Sequence, residues 1–375
     1  MHFAFADLSG LDYDIHTPKA RALGGTQSAL LYLAVELAKR GHKVDCFHQG
    51  KLRSTDFGVT VERMPRDPAR LAGVDVFVSI NGTRDFRVDA YAQLLKPHTV
   101  RLLWPTVATD QAPVSGLADD RLRAFWDGFV MLSEWASQAY QKVYKVDVDR
   151  CYVLKNAVAP PFERLFPAGA SVLAHKKPHA MVYTSAPFRG LAVLLDAWPT
   201  IHAACPDATV QVFSGMGTYQ ITAEKDAFAD LYERCRTTDG IDYRGPVPQP
   251  ELAVALREAA VLAYPCIFDE TSCISVMEAM AAGCAIVTTQ RGALPETTGG
   301  FARLVPSGDR WRQLVAPFAA ATIKTLAEID TRPAAMEAHL QAQVGWMRAT
   351  GTWAERARDW ETTMLRLVAL KRGVA

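Results

Sequence analysis

Short β-rich runs alternate with helical stretches twice over along this 375-residue chain, a rhythm that implies βαβ units and parallel sheets. In the first half the strand-like runs are Phe3–Ala6, Lys43–His48, Val59–Arg63, Val74–Ile80, Thr99–Leu103, Gly128–Ser133 and Cys151–Leu154. Between the first two, Gln27–Arg40 sets Leu30, Leu31, Ala34, Leu37 and Ala38 at the helical period. The run Pro167–Pro178 breaks the rhythm with Pro, Gly, Ala, Ser and Lys and no sustained period. Alternation restarts at His179–Ser185 and continues through Ala208–Ser214, Ile241–Arg244, Ala260–Pro265, Cys284–Thr289 and Ala302–Val305. The expected layout is an α/β chain of two doubly wound parallel-sheet domains of about 170 residues each. The boundaries fall at 1–166, a linker at 167–178, 179–345, and a terminal helical segment 346–375.

Composition narrows the partners. With 41 basic against 40 acidic residues and a formal net charge of +1, there is no electrostatic case for nucleic acid. A membrane span needs roughly 20 near-continuous apolar residues, and the apolar runs here are far shorter. Peripheral membrane association stays open but is not indicated by the sequence. Met1–Asp7 lacks the basic flank and apolar length of a signal peptide and reads as a first strand. The seven cysteines are odd in number and form no CxxC pair, which argues against a disulfide framework and a zinc site. The expected compartment is the cytoplasm. Asp7-Leu8-Ser9-Gly10 is the wrong shape for a GxGxxG fingerprint, against a nicotinamide enzyme.

The chemistry concentrates in Pro265–Gly283, which follows the apolar run Ala260–Tyr264. A helix is predicted to start near Ser272, a good N-cap type, and to stop before Gly283. Glu278 is the lone charge among its Val, Met and Ala residues. A carboxylate in such surroundings costs several kcal/mol unless donors meet it, or it lies on a solvent edge or beside a basic side chain. Were the span helical throughout, Glu270 and Glu278 would stand about 12 Å apart along the axis. Between them the N–H groups of Thr271, Ser272, Cys273 and Ile274 would form an anion site. Acid, anion site, acid suits a nucleotide diphosphate sugar: one carboxylate for sugar hydroxyls, amides for the diphosphate, the other carboxylate for the ribose. The plainer reading of Glu270 is complementation of a helix start.

The E-x7-E pair, with a strand before it and an Ala/Gly-rich helix after, resembles the donor site of the retaining family 4 glycosyltransferases. Ala285–Thr297, with Gly292 and the Pro295-Glu296 pair, is similar to the same family, and so in order are Gly24-Gly25-Thr26, Arg40–Val44, Ser133-Glu134-Trp135, Asn156-Ala157-Val158, Phe188–Leu191 and Asp242–Gly245. The resemblance implies the GT-B architecture: two Rossmann-like domains facing a cleft, with the C-terminal helix at Trp353–Glu361 crossing back to the first domain. It implies transfer of a sugar from a UDP- or GDP-sugar to an unidentified acceptor, with retention of anomeric configuration. It assigns Arg189 to the diphosphate, Gly24 and Gly25 to the backbone approach to the donor phosphates, and Tyr243 and Arg244 to the segment that meets the base. Each has a plainer reading as a helix-start, loop or strand residue. No cofactor is implied beyond the donor.

Two departures stand out. The family usually has a second base a few positions before Arg189, where this chain has Tyr183-Thr184-Ser185. An Arg can fork onto a diphosphate and compensate. The family often places a His after the fifth strand of the first domain, and Thr106 stands about there. Asp110 is then the candidate for orienting the acceptor hydroxyl, against a plain loop role. His16 reads as solvated. Asp147-Val148-Asp149 is formally a DxD motif, but it lies far from the donor segment and reads as a solvated loop, so no metal site is expected. A nucleotide-sugar epimerase of the same shape and a catalytically inactive nucleotide-sugar-binding protein remain alternatives. A pyridoxal phosphate phosphorylase is disfavoured, since no lysine stands in a comparable segment.

Overall fold

The structure, a computed structural model, describes residues 1–65, 68–83, 93–167, 169–308 and 310–373. The chain forms two compact units. The first comprises residues 1–17, 25–156 and 353–375, and the second residues 18–24 and 157–352.

The sheet of the first unit contains β1 (His2–Asp7), β2 (Lys43–His48), β3 (Ser54–Asp56), β4 (Val59–Arg63), β5 (Val76–Ile80), β6 (Val100–Trp104), β7 (Gly128–Met131) and β8 (Cys151–Val153), in the order β3-β4-β2-β1-β5-β6-β7-β8. All neighbours run parallel except β3 and β4. Among the described residues, β3 is the strand that the alternation did not anticipate; at three residues it is too short to show a period. The inner strands are apolar along their length, as strands covered on both faces must be: Phe3–Ala6 and Phe77–Ile80 are almost fully buried. The helix Gly25–Lys39 covers one face, and Trp353–Arg372 packs beside it in the same unit. Trp360 of that terminal helix lies 5.1 Å from Trp104 and 5.9 Å from Phe5, ring to ring. Its Glu361 accepts from Arg40 Nε at 2.9 Å and sits 2.8 Å from His42 Nε2.

The second unit has a wholly parallel sheet of β9 (Lys177–Tyr183), β10 (Thr209–Val212), β11 (Ile241–Tyr243), β12 (Ala259–Tyr264), β13 (Ala285–Thr289) and β14 (Ala302–Val305), in the order β11-β10-β9-β12-β13-β14. The chain moves outward in one direction from β9 and in the other from β12, so the topological switch point lies between these two strands. In open parallel sheets, ligands bind beyond the carboxyl ends of the strands at that point.

Of residues 167–178, read from composition as a linker, the described stretch 169–178 is built into the second unit. Glu337 accepts from the Val172 and Leu173 amides at 2.8 Å each and from Ser171 Oγ at 3.0 Å. Val172 is buried, and so is Lys176, whose Nζ donates to Leu256 O at 3.0 Å and Ala282 O at 2.5 Å. The division between units therefore comes earlier, at Asn156/Ala157. Pro and Gly content signalled irregular backbone there, but irregular backbone held by a buried lysine and a carboxylate is not a tether.

Candidate functional site

The loops that leave β9 and β12 carry Arg189 and Glu270, so the switch point of the second unit brings these two predicted residues together. Arg189 Nη1 donates to Glu270 Oε1 at 2.5 Å, and Tyr264 Oη donates to the same oxygen at 2.6 Å. The backbones interlock as well. Ile267 N–H donates to Arg189 O at 3.1 Å, and Gly190 sits so close to the other loop that a Cβ on it would meet Pro265 O at 2.2 Å. With φ of +139°, Gly190 also occupies a region that disfavours side chains. Glu270 is held from behind: Ala293 N–H donates to its carbonyl at 2.7 Å, and Gly292, at φ +57°, leaves room for that carbonyl where a Cβ would meet it at 2.4 Å. Burial works against the charge on Arg189, but Glu270 together with Tyr219 and Tyr264 outweighs it and raises the guanidinium pKa well above its ordinary value. The Cζ of Arg189 also lies 4.5 Å from the Phe268 ring centroid and 5.4 Å from that of Phe188, within cation–π range.

The helix after Glu270 spans Ile274–Ala281, not the span expected from Ser272. Cys273 is the N-cap and makes no side-chain capping bond, and Met277 N–H closes the first turn onto Cys273 O at 3.1 Å. The reason lies in Thr271–Cys273, an irregular link on which Thr271 and Cys273 are buried, leaving Ser272 outside the helix. The first-turn amides without helical acceptors are therefore those of Ile274 to Val276, shifted from the predicted set. Glu270 lies outside the helix altogether, so the helical spacing assumed for the two acids does not hold. Ser275 Oγ donates to Thr184 O at 2.7 Å, which places the helix start against the end of β9. At the other end Gly283, at φ +72°, closes the helix as predicted.

Glu278 is 4% exposed, with Gln249 Nε2 at 3.2 Å from its Oε1. Burial pushes its pKa up to about 8, against the smaller opposite effects of the Ala159 amide and Gln249. Among the described residues no basic side chain accounts for the shift. Tyr243 stacks on Tyr232 at 5.1 Å and donates to Ser214 O at 2.9 Å, while Arg236 lies 4.8 Å over its ring. Arg244 is exposed and 3.5 Å from Asp242.

In the first unit Gly25 opens its helix, and the next residue, Thr26, joins a polar cluster beyond the strand ends. Thr106 Oγ1 lies 2.8 Å from Thr26 Oγ1 and accepts from Asn81 Nδ2 at 2.8 Å, while Asn81 Oδ1 accepts from the Thr106 amide at 2.6 Å. Asn81 follows β5 in a left-handed conformation, φ +57°, one of the few such non-glycine residues. Asp110 is exposed, and the carbonyl of its neighbour Thr109 accepts from Tyr144 Oη at 2.7 Å. Asp147 caps a short 3-10 turn by accepting from Asp149 N–H at 3.0 Å. Gly24 is buried and is grouped with the second unit. Sequence reasoning missed Tyr264, Phe268, Gln249 and Asn81. A polar tip at the end of an apolar strand was a signal for Tyr264; the others become visible only through tertiary contact.

Comparison with known proteins agrees with this geometry. Residues 180–327 match the family model described as Glycosyl transferases group 1. The D-inositol 3-phosphate glycosyltransferase of Corynebacterium glutamicum (strain R) is 30% identical over 121 residues, 32% of this chain and 29% of that protein. The match thus spans less than a third of the relative's length. Among solved structures, sucrose-phosphate synthase from Thermosynechococcus elongatus superposes with a TM-score of 0.69 at 18% identity, covering 98% of this chain and 99% of that one. The Anabaena protein HepE in complex with UDP-glucose gives a TM-score of 0.68 at 13% identity, covering 98% and 100%. The chain therefore has the GT-B fold, and its residues 180–327 are similar to the glycosyl transferases group 1.

Proposed function

We propose that the protein transfers a sugar from a nucleotide diphosphate sugar, UDP- or GDP-linked, to an acceptor hydroxyl with retention of anomeric configuration. The observation that carries this reading is the switch point of the second unit: Arg189, the open N-terminus of helix 274–281 and the buried Glu278 all lie on its carboxyl-end loops or the helix that follows. In this reading Ile274–Val276 amides and Arg189 take the diphosphate and the charge that develops as it leaves, a preorganised electrostatic role. Glu278 accepts from the ribose hydroxyls. Tyr243 and Arg244 face the base, and Gly24-Gly25 admits the donor phosphates. Asp110 orients the acceptor hydroxyl. The reaction needs no cofactor and no divalent metal, and takes place in the cytoplasm. Among the described residues no helix is long and apolar enough to cross a membrane.

The test is product analysis with a panel of labelled UDP- and GDP-sugars, with and without a mixture of sugar, polyol and glycolipid acceptors. Acceptor-dependent release of nucleoside diphosphate, with the label in a new glycoside, supports transfer. Conversion of the donor sugar without any second substrate identifies an epimerase instead.

A further inference from the structure

We propose that Glu270 acts through Arg189, as a positioning residue that with Phe268 fixes the guanidinium for the leaving diphosphate, and not as the reader of the donor sugar. This rests on the donor reading above. The Glu270 side chain is 7% exposed against 22% for Arg189, so the acid is the anchored member and the base faces outward. Its Oε1 receives both Arg189 Nη1 and Tyr264 Oη, two short bonds to one oxygen, with Cys266 Sγ a further 4.0 Å away. Two donors on one oxygen tie this carboxylate to Arg189 and to the end of β12.

The aromatic side of the clamp is equally defined. Phe268 lies 4.5 Å from the guanidinium carbon, and Phe188 packs on Phe268 at 5.6 Å and on Phe228 at 6.2 Å. One edge of the guanidinium is bound by a carboxylate and one face is covered by a ring. Nη1 is committed to Glu270, which leaves Nε and Nη2 to donate to phosphate oxygens. A long side chain held in this way loses little freedom when an anion arrives, so its charge is in place at the moment of bond cleavage. Both partners also sit on backbone that cannot drift, since Gly190 is packed on Pro265 and Gly292 on Glu270.

Two measurements on the full chain test this. The first follows the side-chain nitrogen resonances of Arg189 by NMR, assigned with Arg189→Lys. Slow rotation of the guanidinium in the wild type and fast rotation in Glu270→Gln and Phe268→Leu is the expected result; an unchanged signal in Glu270→Gln overturns the proposal. The second is a double-mutant cycle on turnover of whichever UDP- or GDP-sugar the wild type uses. Arg189→Ala and Glu270→Ala should each lose about tenfold to a thousandfold in kcat, and the double variant should lose no more than Arg189→Ala alone. Glu270→Gln should keep more activity than Glu270→Ala, and affinity for free uridine or guanosine should not change. Losses that multiply in the double variant overturn the proposal, because Glu270 then acts independently. Should the wild type use no such donor, the donor reading fails while the NMR measurement still decides the clamp.

Discussion

At Glu278 the fold holds a buried carboxyl group met by the Ala159 amide and the Gln249 side chain. Its pKa of about 8 has a sign that can be worked out. From about pH 4.3 upward the unfolded chain gives up this proton, whereas the folded chain keeps it until about pH 8, so stability falls as pH rises through that window. Glu278→Gln should therefore raise the melting temperature of the ligand-free protein at about pH 8 and leave it nearly unchanged near pH 4, where both states are protonated. Ribose hydroxyls that donate to the carboxylate favour its charged form. Nucleoside diphosphate affinity should then increase between about pH 6 and 8 in the wild type, and Glu278→Gln should lose this slope along with roughly 1–3 kcal/mol of binding. A gain in stability joined to a loss of binding separates a functional carboxyl from a structural one. The residue was legible in the sequence, as a lone charge in an apolar helix. Its protonation was not, because burial and the nearness of Gln249, 29 positions away, are tertiary facts.

Among the elements, the helix Ile274–Ala281 is short, and it is held at its end by groups distant in sequence. Lys176 binds Ala282 O and Gln343 Nε2 binds Met280 O at 3.0 Å. Its C-terminal stop was readable from Gly283. Its start was not, because Ser272 and Cys273 compete for the cap and the burial of Cys273 decides between them. The strand pattern survived almost intact, since inner parallel strands declare themselves as apolar runs, but the three-residue β3 and the packed segment 169–178 carry no period to read. At this scale two substitutions are informative. Gly190→Ala would place a methyl group on Pro265 O at a backbone angle that alanine resists, and should cost on the order of 3 kcal/mol or more by denaturant titration. His179, at the start of the second sheet, sits between Asp207 at 2.6 Å and Asp330 at 2.8 Å. Burial disfavours its proton, but the two carboxylates outweigh that and raise its pKa. The stabilisation is present in full below the unfolded value of about 6.5 and is lost as pH rises through the raised folded value. His179→Gln should lower the melting temperature slightly at about pH 5.5 and have almost no effect near pH 9; because both aspartates are largely exposed, the difference should stay within about 1 kcal/mol.

For the whole molecule, one largely and one wholly parallel sheet, with switch points at β1/β5 and β9/β12, reproduce the twofold rhythm of the sequence, and the family match falls on the unit that holds the E-x7-E pair. The pairing of Arg189 with Glu270 across 81 positions was not legible, since nothing local marks two charges as partners. A diphosphate leaving group needs positive charge opposite it, and in the proposed reading Arg189 and the first turn of helix 274–281 provide it. Transfer should therefore persist in excess chelator after metal removal; activity lost to chelator and restored by magnesium or manganese would show that a cation completes the site. The central claim, that the second unit is a nucleotide-sugar site, is tested most directly by the melting temperature of the wild type and Glu278→Gln across a panel of UDP- and GDP-sugars at about pH 7.5. A ligand that binds only the folded state raises stability by roughly 2.7 kcal/mol at a hundred times its Kd. The structure predicts a clear upward shift of the wild type with at least one donor, and a smaller shift for Glu278→Gln with that donor. Equal shifts in the two proteins, or none in the wild type with any donor, would contradict it.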